Sequence, residues 1–197
     1  MTAFPWRQQF LEASNRDQPA LTVELGRLHF AREPDDRTAL ILYGTALVGL
    51  ARYAEARAAY EHALSLSPAD ERRRPLQLLG QLYDARYEAR EAERYYREAI
   101  AAAPEHTSAY LFLGAMLARM GRLEEAEVVH RQATQCAVGD IDEAYLDLGL
   151  VQRGRGDYVG ALASLRHALD LDPTDTDVQD ALLDVEALLF QFPAPEA

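Results

Sequence analysis

One short pattern returns four times along the chain, and a chain that repeats at this interval has few folds open to it. Gly44, Gly80, Gly114 and Gly149 each follow an aromatic residue or a leucine (Tyr43, Leu79, Leu113, Leu148), at spacings of 36, 34 and 35 residues. Downstream of each glycine comes an alanine (Ala56, Ala92, Ala126, Ala161), then a bulky residue (Tyr60, Tyr96, His130, Leu165), then a second alanine (Ala63, Ala99, Ala133, Ala168). Three of the units close on a proline: Pro68, Pro104 and Pro173. The stretch from Arg73 to Pro104 shows what one unit is. Leu76, Leu79, Gly80 and Tyr83 stand at i, i+3, i+4 and i+7, one face of a helix; after a break near Tyr87, Ala92, Tyr96 and Ala99 mark a second face, and Pro104 stops it. A helical hairpin of this size cannot bury both its apolar stripes alone, so stacked copies must cover each other.

The pattern resembles the tetratricopeptide repeat, a helix–turn–helix unit of about 34 residues with the signature W-x2-L-G-x2-Y, then A-x3-F, then P. The resemblance covers Arg37 to Asp175. It implies an all-α chain, a right-handed α-α superhelix or solenoid forming a single domain over 1–197. Four clear helix pairs (37–70, 73–106, 107–140, 142–175) would follow a degenerate pair in 1–36 and precede a capping helix at 176–192. Leu40, Leu76, Tyr110 and Tyr145 replace the signature tryptophan, and Gln152 stands where a tyrosine is usual. The third unit carries His130 for the aromatic and Val138-Gly139 for the proline, which predicts a glycine cap at the end of that helix. Residues 5–32, broken near Asp17–Pro19, form the degenerate pair, with Trp6, Phe10, Leu21, Leu25, Leu28 and Phe30 as its expected apolar set. In the capping helix, Thr174 with Asp177 three residues on predicts the N-cap. Val178, Leu182, Val185 and Leu189 form its inward stripe, Asp177, Asp180 and Asp184 its polar outer face, and Pro193–Ala197 a frayed tail.

Charge narrows the function classes. The net charge is −12, and all 20 basic residues are arginine. Residues 1–98 hold 14 Arg against 15 Asp/Glu, and residues 99–197 hold 6 against 17, so the acid excess lies in the second half. Phosphate binding needs clustered positive charge, so nucleic acid is not an expected partner. No window approaches the ~18 consecutive apolar residues of a membrane span, and MTAFPWRQQFLEA has no basic region leading into an apolar run, so no membrane and no secretory signal are expected. Cys136 is the single cysteine, which fits a reducing compartment; a cytoplasmic location is the expectation.

Residues that could carry chemistry do not assemble into a motif. None of His29, His62, His106, His130 and His167 has metal-ligand spacing, and His62 and His167 read as helix-surface positions. His130 and Cys136, six apart, do not share a helical face. The run Asp170–Asp175 lacks the glycine and glutamate of a calcium loop, so capping explains its carboxylates better. The absence of lysine removes Schiff-base chemistry. Arg86, Arg90, Arg94 and Arg97 interleave with glutamates as a solvated face. The expectation is a chain with no catalytic residues, no metal and no cofactor, and so not an enzyme.

The resemblance also implies where a partner would lie, because first helices of such pairs line a concave groove that takes an extended or helical peptide. The residues on that side and not needed for packing are Ile41, Thr45 and Val48, then Gln77, Gln81 and Asp84, then Leu111, Ala115 and Arg119, then Glu143, Leu146, Leu150 and Arg153. They would merge into the acidic stripe of Asp177, Asp180 and Asp184. The expected partner is a protein or peptide with apolar anchors and basic residues. Relatives that grip chaperone C-terminal carboxylates use Lys, Asn and Arg here; Thr45, Gln81 and Ala115 do not match. Three other readings stand beside this one. The chain could be a dedicated chaperone or inhibitor of one basic or amphipathic partner, or a self-associating module that forms a homo-oligomer. In the plainest reading, Ile41 and Leu111 pack against adjacent helices and the aspartates keep the cap soluble.

Overall fold

The computed structural model describes residues 5–191, so the expected fraying of Pro193–Ala197 lies outside the described residues. The chain divides into two compact units, Met1–Ala102 and Ala103–Ala197. The first contains α1 (Pro5–Asn15), α2 (Pro19–Phe30), α3 (Arg37–Gly49), α4 (Tyr53–Ser65), α5 (Arg73–Ala85) and α6 (Ala89–Ala102). The second contains α7 (Thr107–Arg119), α8 (Leu123–Ala133), α9 (Ile141–Gly154), α10 (Tyr158–Leu171) and α11 (Thr176–Gln191). Among the described residues there is no strand beyond an isolated bridge of His106 with Val138. None of these helices is long and apolar enough to cross a membrane.

Each hairpin turns on one left-handed residue: Asp17, Ala51, Tyr87, Gly121 and Gly156. The next amide reaches back across that residue to close the helix end, as Arg52 N–H does to Leu47 O (2.9 Å) and Glu88 N–H to Tyr83 O (2.9 Å). The helices of a pair then close on a small-against-large contact. A Cβ on Gly44 would stand 2.4 Å from the Tyr60 ring, and one on Gly80 2.6 Å from Tyr96, so any side chain there would push the pair apart.

The first unit builds its opening pair by reversing this contact. Phe10 on α1 supplies the ring and Gly26 on α2 the gap, with a built Cβ on Gly26 only 3.2 Å from Phe10 and 2.5 Å from Tyr43. That choice sets which face of α2 turns inward. The buried residues are Phe10, Ala13, Thr22, Val23, Gly26 and His29. Trp6, Leu21 and Leu28, expected in the apolar set, are exposed instead. Thr22, Gly26 and His29 sit 34 residues before Ala56, Tyr60 and Ala63, so the repeat does continue here with its large and small positions exchanged.

The second unit departs from the sequence expectation at three places. Helix α8 ends at Ala133 with Thr134 following, so Gly139 is not its cap. The chain from Cys136 instead doubles back on the start of α7. Ala137 and Val138 N–H donate to Glu105 O (3.0 Å each), and Thr107 N–H donates to Val138 O (3.0 Å). Asp140 N–H bonds Thr107 Oγ1 at 3.0 Å, and Gly139 takes the positive φ of 104° that this return requires. The cap of α11 is Asp175, which accepts from Asp177 N–H (2.8 Å) and Val178 N–H (3.2 Å). Thr174 is unavailable because its N–H and hydroxyl both bond Asp172 Oδ1 (2.9 and 2.7 Å). Val178, Leu182 and Val185 are buried as the inward stripe, against Ala161, Leu165 and Ala168 of α10. The outer face is less polar than its aspartates suggest, since Leu183 is 65% and Phe190 93% exposed.

Where Gln152 replaces a tyrosine, its side chain is buried and accepts from the buried Ser164 hydroxyl at 2.7 Å. Ser164→Ala leaves that amide oxygen without its donor, and the expected loss is about 1–3 kcal/mol in urea unfolding. Ser164→Thr, which keeps the hydroxyl, should recover part of it.

Candidate functional site

The expected partner-facing residues lie on the first helices of the repeats, α3, α5, α7 and α9, and on α11, and the structure sorts them by how much each is already used. In the first unit Thr45 is exposed, with Ile41 and Val48 half-buried on α3. Thr45 is not idle: its Oγ1 donates to Ile41 O (3.0 Å) and lies 3.2 Å from the Tyr60 hydroxyl. On α5, Gln77, Gln81 and Asp84 are half-buried, and Gln77 Oε1 accepts from Arg73 (3.3 Å).

In the second unit Leu111 is 7% exposed and belongs to the wall of α7, while Ala115 and Arg119 reach solvent. Leu146 and Leu150 on α9 are half-buried against the α10–α11 core. Glu143, Asp177, Asp180 and Asp184 are exposed. Arg153 and Asp184 satisfy each other at 3.1 Å, which joins α9 to α11. Among the described residues no arginine partner is seen for Glu143, Asp177 or Asp180.

Two clusters of titratable groups come together that sequence spacing did not show. In the first unit the ligand atoms of His29, Glu33 and Asp36 lie within 4.8 Å of one another. The Asp36 carboxylate is already committed. Oδ1 caps α3 through Ala39 N–H (3.1 Å), while Oδ2 meets His29 Nε2 (3.0 Å) and Arg7 Nε (3.4 Å). Burial pushes this carboxyl up, but the bonds from Ala39, His29 and Arg7 outweigh it and hold it below its ordinary value. The cluster therefore ties α2 to the start of α3.

The second cluster lies in the second unit. His130 on α8 is 1% exposed, its ring fills the gap over Gly114, and its Nδ1 has no hydrogen-bond partner. That nitrogen points at Asp147 Oδ2 on α9, 3.6 Å away and too far for a hydrogen bond. Burial lowers the imidazole to about 4. Burial and then the Glu143 charge raise Asp147 to about 6, and Glu143 is itself pushed up by burial and by Asp140 and Asp142. Asp147 was the residue the pattern could have revealed. It stands two places before the repeat glycine, where the other units carry Leu42, Leu78 and Phe112.

On the helices' outer faces the interleaved charges pair as expected, with Arg94–Glu98 at 2.7 Å and Arg97–Glu93 at 2.6 Å. Burial raises the Cys136 thiol, so it is not an activated nucleophile.

Comparison with known proteins points one way. Models described as tetratricopeptide repeat match residues 78–140, and also 38–70 and 142–175. Human tetratricopeptide repeat protein 7B is 30% identical over 131 residues, which is 66% of this chain; the chain spans 15% of that relative's length. Among solved structures, YrrB, titled a TPR protein with an unusual peptide-binding site, superposes with a TM-score of 0.63 at 22% identity, covering 91% of each chain. MamA (41-end) from Desulfovibrio magneticus RS-1 gives 0.69 at 19% identity, over 87% of this chain and 95% of that one. A tetratricopeptide repeat protein from Parabacteroides merdae ATCC 43184 gives 0.71 at 17% identity, over 94% and 73%.

Proposed function

We infer, because this chain belongs to the tetratricopeptide repeat family and is a protein–protein interaction scaffold, that it binds a peptide or protein segment along the first-helix faces of its repeats. The observation that carries the reading is in the second unit. There Ala115 on α7 is exposed, Leu146 and Leu150 on α9 are half-buried, and Glu143, Asp177 and Asp180 are exposed carboxylates for which, among the described residues, no arginine partner is seen. A segment with aliphatic or aromatic anchors and basic residues would cover the first and pair with the second. In the first unit Thr45, Ile41, Val48, Gln77, Gln81 and Asp84 would play the corresponding part. YrrB, similar in fold, is described as having a peptide-binding site, which agrees with the reading. The role is non-enzymatic, needs no cofactor, and suits a cytoplasmic protein; a dedicated chaperone or inhibitor is its narrower form.

Ala115→Arg tests it. A long side chain at this exposed position should change stability by no more than about 0.5 kcal/mol, yet abolish capture of a partner from native lysate. Val128→Arg, on the exposed side of α8, should leave both unchanged. Capture that survives Ala115→Arg removes the α7–α9 face from consideration. Repeating the capture in high salt separates apolar from charged recognition, since screening weakens only the second.

A further inference from the structure

The repeat pattern places an apolar residue two positions before each repeat glycine, and the fourth unit breaks it with an acid. Leu42, Leu78 and Phe112 occupy that position elsewhere, whereas Asp147 occupies it on α9. Among the described residues only His130 approaches Asp147, and no hydrogen-bond donor reaches its carboxylate. Its side chain is only 27% exposed, its nearest neighbour of interest is the buried His130 Nδ1 at 3.6 Å, and Glu143 lies one helical turn away on the same face. Among the described residues no arginine pairs with Asp147 or Glu143. The His130 nitrogen, almost wholly buried and aimed at the carboxylate, is left without a hydrogen bond. Among the described residues the two carboxylates therefore lack a cationic partner, and a positive donor brought from outside would supply one.

We propose that Glu143 and Asp147, backed by His130, form a site for the guanidinium group of an arginine side chain on the partner segment. This rests on the reading given under Proposed function and specifies its chemistry. A guanidinium fits better than a metal ion. Among the described residues only His29, Glu33 and Asp36 bring three ligand atoms within 4.8 Å of one another, so the imidazole and two carboxylates here do not converge on one ion. It fits better than an ammonium because a planar fork of donors can reach two carboxylates a helical turn apart, where a point charge can serve only one well. The raised carboxyls of Asp147 and Glu143 agree, since each would fall back when a cation arrives. The surrounding charge agrees too, with Asp140 and Asp142 adding attraction at the start of α9.

The test uses the full chain labelled for NMR and three probes: N-acetyl-arginine amide, N-acetyl-lysine amide and N-acetyl-citrulline amide, at constant ionic strength. The arginine probe should give saturable shifts at the amides from Glu143 to Leu150 and at the His130 ring. The citrulline probe, which keeps the shape and loses the charge, should give none, and the lysine probe should bind at least several-fold more weakly. Asp147→Asn should abolish the arginine response and, by removing a carboxylate that among the described residues has no cationic partner, raise the melting temperature at pH 7 by about 6–12 °C. Absence of saturable shifts with the arginine probe, equal binding of lysine, or arginine binding retained by Asp147→Asn would each overturn the proposal. So would a fall in melting temperature in that variant, which would make Asp147 a structural anchor for His130. The wider reading fails separately. A partner lost through Ala115→Arg but kept by Asp147→Asn retires this site alone, and a partner kept by both retires the α7–α9 face with it.

Discussion

Replacing Tyr60 by alanine should lower the unfolding free energy by about 3–5 kcal/mol. The ring is 2% exposed and fills the space over Gly44, where a built Cβ would lie 2.4 Å from it. Deleting it removes the apolar area it buries and leaves a cavity between α3 and α4 that neither helix can collapse into without moving away from the neighbouring α2 or α5. Tyr60→Phe separates ring from hydroxyl. It should cost only about 1 kcal/mol, for the bond between the hydroxyl and Thr45 Oγ1 at 3.2 Å. The sharper measurement is the double-mutant cycle with Gly44→Ala. Alone, the added methyl must force the ring aside and should destabilise by about 1–3 kcal/mol. With Tyr60 already truncated the methyl enters vacated space, and the better helix propensity of alanine, worth about 1 kcal/mol, should then show as a gain. A sign change of this kind, read from urea unfolding, is the signature of direct contact. Additive effects would mean that the pair does not close on this ring.

Why some features were legible in the sequence and others not follows from the same contact. Gly44 with Tyr60 and Gly80 with Tyr96 lie in a fixed order along the chain, so spacing alone reveals both the helices and the faces they bury. Phe10 and Gly26 make an equivalent contact in the opposite order. A search for glycine on the first helix misses it, and Trp6, Leu21 and Leu28 are then placed inside on hydrophobicity alone. The caps failed for a different reason. Thr174 and Asp175 are both good capping residues, and the choice between them is decided by Asp172, whose carboxylate takes both donors of Thr174 and leaves Asp175 to the helix. Periodicity cannot see that competition. Gly139 looked like a helix end because it replaces a proline, but its backbone serves the return of the chain onto Thr107, a contact 32 residues away in sequence. The candidate site was half visible. Glu143, Leu146 and Leu150 follow from helical spacing on α9, whereas the role of Asp147 depends on a nitrogen contributed by α8.

That pairing also controls how stability responds to pH, and the two partners pull in opposite directions. His130 titrates near 4 in the folded chain and near 6.5 when unfolded, so protons favour the unfolded chain and stability is lost as pH falls from 6.5 to 4. Asp147 titrates near 6 folded and near 3.8 unfolded, so the folded chain holds the extra proton and stability is gained as pH falls through 6 towards 4. Each contribution is on the order of 3 kcal/mol, and between pH 6 and pH 4 they nearly cancel. Wild-type protein should therefore show only the shallow acid sensitivity left by ion-paired carboxylates. One of these is Glu127, which burial raises but which Arg155 and Arg131 hold below its ordinary value. Removing one partner exposes the other. Asp147→Asn leaves the histidine unopposed, and its stability should fall relative to wild type by on the order of 3 kcal/mol between pH 7 and pH 4. His130→Phe restores the aromatic that the repeat carries as Tyr60 and Tyr96, and its stability relative to wild type should rise by a similar amount over the same interval. Thermal and urea unfolding of the three proteins at pH 4, 5, 6 and 7 gives the comparison directly. Parallel curves would show that His130 and Asp147 keep their ordinary titration in the folded chain, and that their environment is as wet as the surface.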